Sequence, residues 1–210
     1  MIQVHQWDPF GRALKLEALE RFRGRYTFTK FPTRLEDIDP AKGIELNEGK
    51  FGEIRIDRIT VFQNGIIIDT RSSTEDSEKV LDDIIALANE AFGAVIHPVR
   101  KGFTSQFIFQ SNMRMLALHP IVPKIAETLT SHASADFKHP FTFEPSALLF
   151  NVDLSQAKTA PAVFSIERRA EIPFAENTYF SNAPLRTAEH IEVIKQFETA
   201  MLNTDSQPPR

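Results

Sequence analysis

The chain has 210 residues, a formal net charge of −4 and an isoelectric point near 5.9, a size that fits one large domain or two small packed lobes. It contains no cysteine, which excludes disulfides, thiolate metal ligands and thiol nucleophiles. The mild acidity argues against bulk electrostatic attraction to nucleic acid. Its aromatic residues are mostly Phe, 18 against 2 Tyr and 1 Trp, and this ratio favours packing over polar recognition.

The first predicted elements are a helix and a strand. A helix is predicted over Arg12–Arg23, because its large apolar residues lie on or near one face, and Gly24 is the expected stop. The alternation in Arg25–Thr29 predicts a half-buried strand with Tyr26 and Phe28 facing the core. The following polar stretch, residues 32–50, is predicted to be a surface connection with a short strand at 44–46.

A β-hairpin is the clearest local signal in the chain. Two branched apolar runs, Ile54–Phe62 and Ile66–Ile68, are separated by Gln63 and the Asn64-Gly65 pair, which is typical of a type I′ turn. The apolar residues change parity within the first run. This change predicts a β-bulge near Asp57-Arg58 that resets the alternation.

An amphipathic helix follows the hairpin and is expected to stop at Gly93. Ser72 and Glu75 have the spacing of a capping box at its start. Arg71 immediately precedes the hydroxyl residues Ser72 and Ser73, so these three residues are a candidate anion-binding site at the helix N-terminus. Helix capping alone explains the hydroxyls equally well.

The second half of the chain repeats the arrangement of strands followed by a helix. A helix is predicted within residues 112–130, broken or restarted by Pro120 and Pro123. The closing helix is predicted over Thr187–Leu202. The predicted strands are Phe103–Gln110, Ala147–Val152, Ala162–Glu171 and Tyr179–Ser181.

These elements predict an α+β fold with a mainly antiparallel sheet, or two small sheets, and amphipathic helices packed on it. Short turns join consecutive strands, which disfavours a parallel α/β fold. We expect one domain over residues 1–202, built either as one body or as two intimately packed lobes, 1–100 and 101–202. Residues 203–210 are predicted to be a polar tail.

The best candidate metal site lies in the predicted loop His132–Glu144. His132, Asp136 and His139 offer two imidazoles and a carboxylate that could bind a divalent cation, and a metal-dependent hydrolase is the corresponding hypothesis. No H-E-x-x-H pattern is present to impose a zinc geometry. The alternative is that these residues are solvated loop side chains.

The best candidate nucleic-acid site is the stretch Arg21–Phe31. Arg21, Arg23, Arg25 and Lys30 alternate with aromatic residues, a pattern that could combine phosphate contacts with base stacking. The alternative is a helix end that leads into a strand with a solvated basic face. Given the acidic chain, we expect no nucleic-acid partner.

The function predicted from these observations is that of a non-catalytic binding or assembly subunit that acts through protein–protein contacts. The expected partner is another protein or further copies of the chain, and no cofactor is expected. The N-terminal residues lack the basic and apolar regions of a signal peptide, and no apolar run reaches the roughly 20 residues of a membrane helix. We therefore expect a soluble cytoplasmic protein with no membrane contact.

Overall fold

The computed structural model describes residues 2–4, 16–32, 42–62, 65–92, 98–153, 155 and 160–205. The chain divides into two compact units, Met1–Phe103 (unit 1) and Thr104–Arg210 (unit 2). The described residues form four α-helices and two sheets in which every strand pair is antiparallel. The predicted α+β class is confirmed, while the extent of a folding domain over 1–202 stays a prediction.

Unit 1 contains a five-stranded sheet with the strand order β2-β3-β4-β1-β5. Its strands are β1 (Ile2–Val4), β2 (Ile44–Phe51), β3 (Ile54–Phe62), β4 (Gly65–Thr70) and β5 (Pro98–Lys101). Its helices are α1 (Leu16–Tyr26) and α2 (Thr74–Phe92). The short strand predicted at 44–46 is the beginning of the longer strand β2.

The predicted bulge in the hairpin is confirmed. Between β3 and β4, Ile56 pairs with Thr70 and Arg58 with Asp69, so the register shifts at Asp57. The extra residue returns the alternation to one parity, and both Ile56 and Ile59 are buried. Gly65 pairs with Phe62 at the start of β4. Residues 63 and 64 of the predicted type I′ turn lie outside the described residues.

Helix α1 ends later than predicted. It continues past Gly24 to Tyr26, and Thr27 then takes a left-handed backbone conformation with φ 49°. The strand predicted over 25–29 is therefore wrong, although Tyr26 and Phe28 are buried as expected. The physical reason is tertiary, because helical geometry at residues 25 and 26 lets both side chains reach Asp83 on α2.

The start of α2 is shifted by one residue from the predicted capping box. The Ser73 hydroxyl accepts a hydrogen bond from the Asp76 N–H at 3.2 Å, which satisfies one of the free donors of the first helical turn. Ser73 is therefore the N-cap, in place of Ser72. The predicted stop at Gly93 lies outside the described residues.

Unit 2 contains a four-stranded sheet with the order β6-β9-β8-β7. Its strands are β6 (Ser105–Gln110), β7 (Ala147–Phe150), β8 (Phe164–Arg168) and β9 (Thr178–Ala183). A 3-10 helix covers Met115–Leu118, and the α-helices are α3 (Ile121–Phe137) and α4 (Thr187–Asp205). Pro120 separates the first two helices as predicted, whereas Pro123 lies in the first turn of α3, where a missing N–H is tolerated.

Each unit has its own core. In unit 1, apolar side chains of β2, β3 and β4 pack against α2 and the end of α1. In unit 2, one face of the sheet packs against α4 and the segment around Met113 and Met115. The residues of that sheet face alternate along each strand, for example Phe107 and Phe109 on β6 and Tyr179 and Ser181 on β9.

Candidate protein-binding surface

Helix α3 has an unusual distribution of side chains. None of its residues is buried, and the large aliphatic residues Ile121, Ile125 and Leu129 are each about half exposed. These three residues are spaced by four and therefore line one side of the helix. Smaller residues such as Ala126 and Thr130 are partly buried instead. Helix α3 thus exposes to solvent the large apolar side chains that a surface helix ordinarily packs against the core.

The chain turns back along α3 after the helix ends. Lys138 takes a left-handed conformation with φ 51° and its N–H bonds to the Ser134 carbonyl. The N–H of Phe141 then donates to Ser134 Oγ at 3.0 Å, and that of Phe143 to Thr130 Oγ1 at 2.9 Å. Two helix hydroxyls therefore hold residues 138–146, which we call the return segment, along α3 and leave the rings of Phe141 and Phe143 exposed.

A buried arginine ties this return segment to the sheet. The Arg168 side chain on β8 is only 7% exposed, and its Nη2 donates to Glu144 Oε2 at 2.6 Å. Its Nη1 donates to the Phe174 carbonyl, and the guanidinium lies 4.4 Å from the Phe174 ring centroid. A charge-assisted bond between such shielded groups is stronger than a surface ion pair, so it fixes the chain directly before β7.

Strand β7 follows Glu144 after two residues and is an edge strand of the unit 2 sheet. Leu149 is 61% exposed on one face of the strand, and Phe150 is 58% exposed on the other. The Phe150 ring meets Phe164 edge-on at 5.7 Å. No residue of β7 is charged or is a proline.

Together these elements expose a large amount of apolar surface. Nine of the exposed large apolar residues form what we call the 121–152 surface: Ile121, Ile125, Leu129, Phe137, Phe141, Phe143, Leu149, Phe150 and Val152. Taking roughly 150–250 Å² per fully exposed large side chain, the range for aromatic residues, their exposed fractions sum to on the order of 800 Å². This sum is spread over α3, residues 138–146 and both faces of β7, so it is not the area of one continuous patch. It is of the same order as the roughly 800 Å² that one partner contributes to a standard interface.

The predicted metal ligands lie at the far end of α3. His132 and Asp136 are exposed residues of the helix, so the predicted loop is wrong up to Phe137. The reason is that neither proline nor glycine occurs between Pro123 and Pro140, so no residue in that stretch breaks the helix. The His139 ring lies edge-on to Phe141 at 5.1 Å. Within the described ranges, no group of three or more His, Cys, Asp or Glu side chains is placed to hold a metal ion, and the metal hypothesis stays a prediction.

Several of the predicted nucleic-acid contacts are engaged within unit 1. Arg25 donates through Nε to Asp83 Oδ2 at 2.6 Å, and Lys30 bonds to Glu48 at 2.5 Å. Arg23 lies over the Phe31 ring at 4.3 Å, and Arg21 is exposed on α1. Carboxylates beside Arg25 and Lys30 would repel a phosphate backbone. A nucleic-acid role stays a prediction.

The predicted anion site is occupied by the protein's own groups. Arg71 Nε donates to both carboxylate oxygens of Asp57, at 2.7 and 2.9 Å. Ser73 caps α2, and Ser72 hydrogen-bonds the Asp76 side chain. Asp76 places a negative charge at this helix N-terminus. The anion-binding role of these residues stays a prediction.

Unit 2 contains a buried histidine network that the sequence patterns did not predict. His190 on α4 is fully buried, with Nδ1 2.8 Å from Ser105 Oγ and Nε2 2.8 Å from Ser181 Oγ. Ser181 donates to the Ser165 carbonyl at 2.6 Å. Its hydroxyl oxygen therefore accepts from Nε2–H, and Nδ1 accepts from Ser105.

This network is structural, although it joins a histidine to two serines. Both ring nitrogens of His190 are used by hydroxyls, so no position remains for a carboxylate that would orient a catalytic base. Burial lowers the pKa of His190 to about 4, and Ser105 and Ser181 are themselves buried. The only sequence signal was the i, i+4, i+11 spacing of His190 with Ile194 and Met201, which places it on the core face of α4.

Comparison of the chain with protein-family models, with curated proteins and with solved structures found no match. None of the described helices combines the length and the apolar composition of a membrane-spanning segment.

Proposed function

We propose that this protein is a non-catalytic binding or assembly subunit whose partner is another protein, held by the 121–152 surface. The observation that carries the proposal is the exposure of large aliphatic and aromatic side chains on α3, the return segment and β7. Leaving such side chains in water forgoes roughly 25 cal/mol per Å² of favourable burial. A partner that covers them recovers this free energy.

The way in which the surface is held supports binding in preference to loose packing. Side-chain hydroxyls of α3 bond the backbone of the return segment, and Arg168 bonds Glu144 at the start of β7. These contacts fix the apolar groups in place before any partner arrives. Such preorganisation reduces the entropy lost on association.

The chemistry of the surface indicates the class of partner. The nine residues that define it are exposed apolar side chains, of which Phe137, 73% exposed, is the most accessible, and exposed charges of both signs, such as Lys124 and Glu127, lie on the same helix. Isolated exposed apolar residues are common, whereas a concentration of them marks an interaction site. A complementary apolar protein surface fits this composition, and a polyanion does not.

The proposal is tested with one charge placed on α3. Ile125→Asp introduces a carboxylate into the exposed aliphatic row without touching either core. Ile191→Asp on α4 is the matched control, because Ile191 is also exposed but lies outside the surface. Proteins retained by the immobilised chain are identified, purified and titrated against wild type and both variants by calorimetry.

We expect Ile125→Asp to weaken binding at least about 10-fold, since a buried unpaired charge at an interface is costly, and Ile191→Asp to bind like wild type. Equal affinities for all three proteins would contradict the proposal. Retention of the fold is checked by circular dichroism.

A further inference from the structure

The two sheets have four edge strands in the described part of the chain. These strands differ in how they are protected from pairing with a strand of another molecule. Edge strand β2 carries Glu45 and Lys50, and β5 contains Pro98, Arg100 and Lys101. Charged residues and proline are the usual means by which proteins blunt an edge strand. The described edge strands of unit 1 are both protected in this way.

The edges of unit 2 contrast with each other. Strand β6 carries the exposed amides Gln106 and Gln110 on either side of Ile108. Strand β7, the opposite edge, reads Ala-Leu-Leu-Phe and has no polar side chain. It is therefore the least protected edge in the described part of the chain.

The hydrogen-bond pattern shows which backbone groups of β7 are available. The Ser146 carbonyl accepts the Arg168 N–H at 2.7 Å, and Leu148 is paired with Ile166 in the same register. Even-numbered residues therefore direct their backbone groups toward β8. The N–H and C=O of Ala147 and Leu149 point to the opposite side, where the sheet order places no strand among the described residues.

We infer that β7 pairs antiparallel with β7 of a second copy of this chain, across a two-fold axis at Leu149, so that the two sheets become one. This inference rests on the proposed function, because β7 belongs to the 121–152 surface, and it assigns an occupant to the β7 edge alone. Leu149 would exchange both N–H···O bonds with Leu149 of the second copy, and Ala147 would pair with Asn151.

Side chains match in this arrangement as well as backbone groups. Residues opposite each other in an antiparallel pair point to the same face, so Leu149 meets its own counterpart and Leu148 meets Phe150 of the second copy. The strand carries no charge, so no like charges oppose each other across the axis. A self-complementary strand of this kind suits an identical partner.

The area indicates the strength of the dimer. Leu149 and Phe150 expose about 100 Å² each, so both copies together would bury about 400 Å² of their side chains. Stable interfaces bury roughly 1,200–2,000 Å². We therefore expect a weak dimer, with a dissociation constant on the order of 10–100 μM, in which the rest of the 121–152 surface stays open to a larger partner.

Single-cysteine variants test the predicted register, because the natural chain has no cysteine. In Leu149→Cys, the two Cα atoms across the axis would lie about 5.5 Å apart, within the range for a disulfide. In Phe150→Cys they would be offset by two residues and lie roughly 8 Å apart, too far to bridge. Mild oxidation is expected to cross-link the first variant and leave the second monomeric.

A proline variant tests the backbone bonds. Leu149→Pro removes an N–H that faces away from β8, which leaves the bonds to β8 intact. Ile108→Pro is the matched control: Ile108 is 54% exposed, and the bond from Ser111 N–H to Asn177 directs the odd-numbered residues of β6 toward β9. We expect Leu149→Pro to weaken dimerisation roughly 5- to 150-fold in sedimentation equilibrium, and Ile108→Pro to leave it unchanged.

Three results would overturn the inference: a wild-type chain that stays monomeric at about 100 μM, equal cross-linking of both cysteine variants, or equal dimerisation of both proline variants. If the proline variant fails to fold, Leu149→Lys replaces it. This variant would place two like charges opposite each other across the axis and is expected to stay monomeric. Loss of partner binding by Ile125→Asp would still support the proposed function in each of these cases. The failure of the dimer and the failure of the function are thereby distinguishable.

Discussion

Units 1 and 2 differ in how far their described large apolar side chains are buried. Among the residues that the structure describes, the core of unit 1 contains twelve buried side chains, and that of unit 2 contains six. All large apolar residues found exposed in the described part of the chain lie in unit 2. In the described part of the chain, unit 1 thus buries its large apolar residues or half-buries them against its core, whereas unit 2 leaves many of them exposed to solvent.

The polar contacts of the two units differ in the same sense. In unit 1 they lie at the boundary of the core, where Tyr26 donates to Asp83 at 2.6 Å and Arg25 bonds the same carboxylate. In unit 2 a histidine and two serines occupy the core itself. Hydrogen bonds contribute less net stability than apolar burial of the same volume. The comparison therefore indicates a stable body in unit 1 and a more marginal one in unit 2.

The largest expected effect contrasts a core isoleucine with a surface one. Ile59→Ala in β3 should lower the free energy of unfolding by about 3–5 kcal/mol, because Ile59 is fully buried and its loss leaves a cavity. Ile125→Ala on α3 should change it by less than about 0.5 kcal/mol. Urea denaturation measures both free energies of unfolding. Similar losses for the two variants would contradict the contrast between the buried isoleucine of unit 1 and the exposed isoleucine of unit 2.

The second prediction concerns the polar core of unit 2. The unfolded chain protonates His190 near its ordinary pKa of 6.5, whereas burial lowers the pKa in the folded protein to about 4. Between these values the unfolded state binds the additional proton, so stability is lost as the pH falls from 6.5 to 4. The expected loss is about 3 kcal/mol.

His190→Gln should remove this contribution and flatten the stability of unit 2 between pH 4 and 6.5. Its stability at pH 7 should fall by about 1–3 kcal/mol, because Ser105 or Ser181 loses its bond to the ring. Urea denaturation at a series of pH values provides the measurement. An unchanged slope in the variant would show that other groups control the acid sensitivity.

The third prediction compares neighbouring carboxylates on α2. Asp83 is well shielded and bonds both Arg25 and Tyr26, and the bond from Arg25 lowers the pKa of Asp83. Asp82 is mostly exposed, and its Oδ1 lies 3.4 Å from Lys101 Nζ. Asp83→Asn should cost about 1–2 kcal/mol, and Asp82→Asn less than about 0.5 kcal/mol. Equal melting temperatures for the two variants would contradict the importance of the shielded contact.

The smallest expected effect is a gain in the stability of unit 1. Gly24 lies within α1, and a Cβ atom added there meets no other atom within 4 Å. Gly24→Ala should stabilise the protein by about 0.5–1 kcal/mol, since alanine loses less backbone entropy in a helix. At Gly49 an added Cβ would lie only 2.4 Å from an atom of the Phe28 ring. Gly49→Ala is therefore expected to destabilise the protein and serves as the contrasting variant.

Local patterns predicted much of the fold. The parity change in β3 located the bulge at Asp57 because side chains alternate strictly along a strand. The periodicity after the hairpin located α2, and Pro120 marked the start of α3. The end of α1 was predicted wrongly, because the bonds of Arg25 and Tyr26 to Asp83 connect residues far apart in the chain.

The candidate surface was harder to predict than the fold. The aromatic residues Phe107 and Phe109 of the predicted strand Phe103–Gln110 pack against the core of unit 2. The exposed residues instead lie on α3 and β7, whose apolar patterns look like those of ordinary core elements. Periodicity shows which residues share a face, but it does not show whether another element covers that face.

Local sequence patterns were sufficient to predict the α+β class, the bulged hairpin and most helix and strand positions, because these depend on side-chain period and on breakers within a few residues. Long-range packing establishes which apolar faces are covered, that His190 bridges two serines in the core, and that β7 is an unprotected edge. Those properties depend on contacts between residues distant in the chain. Local composition constrains such contacts only weakly.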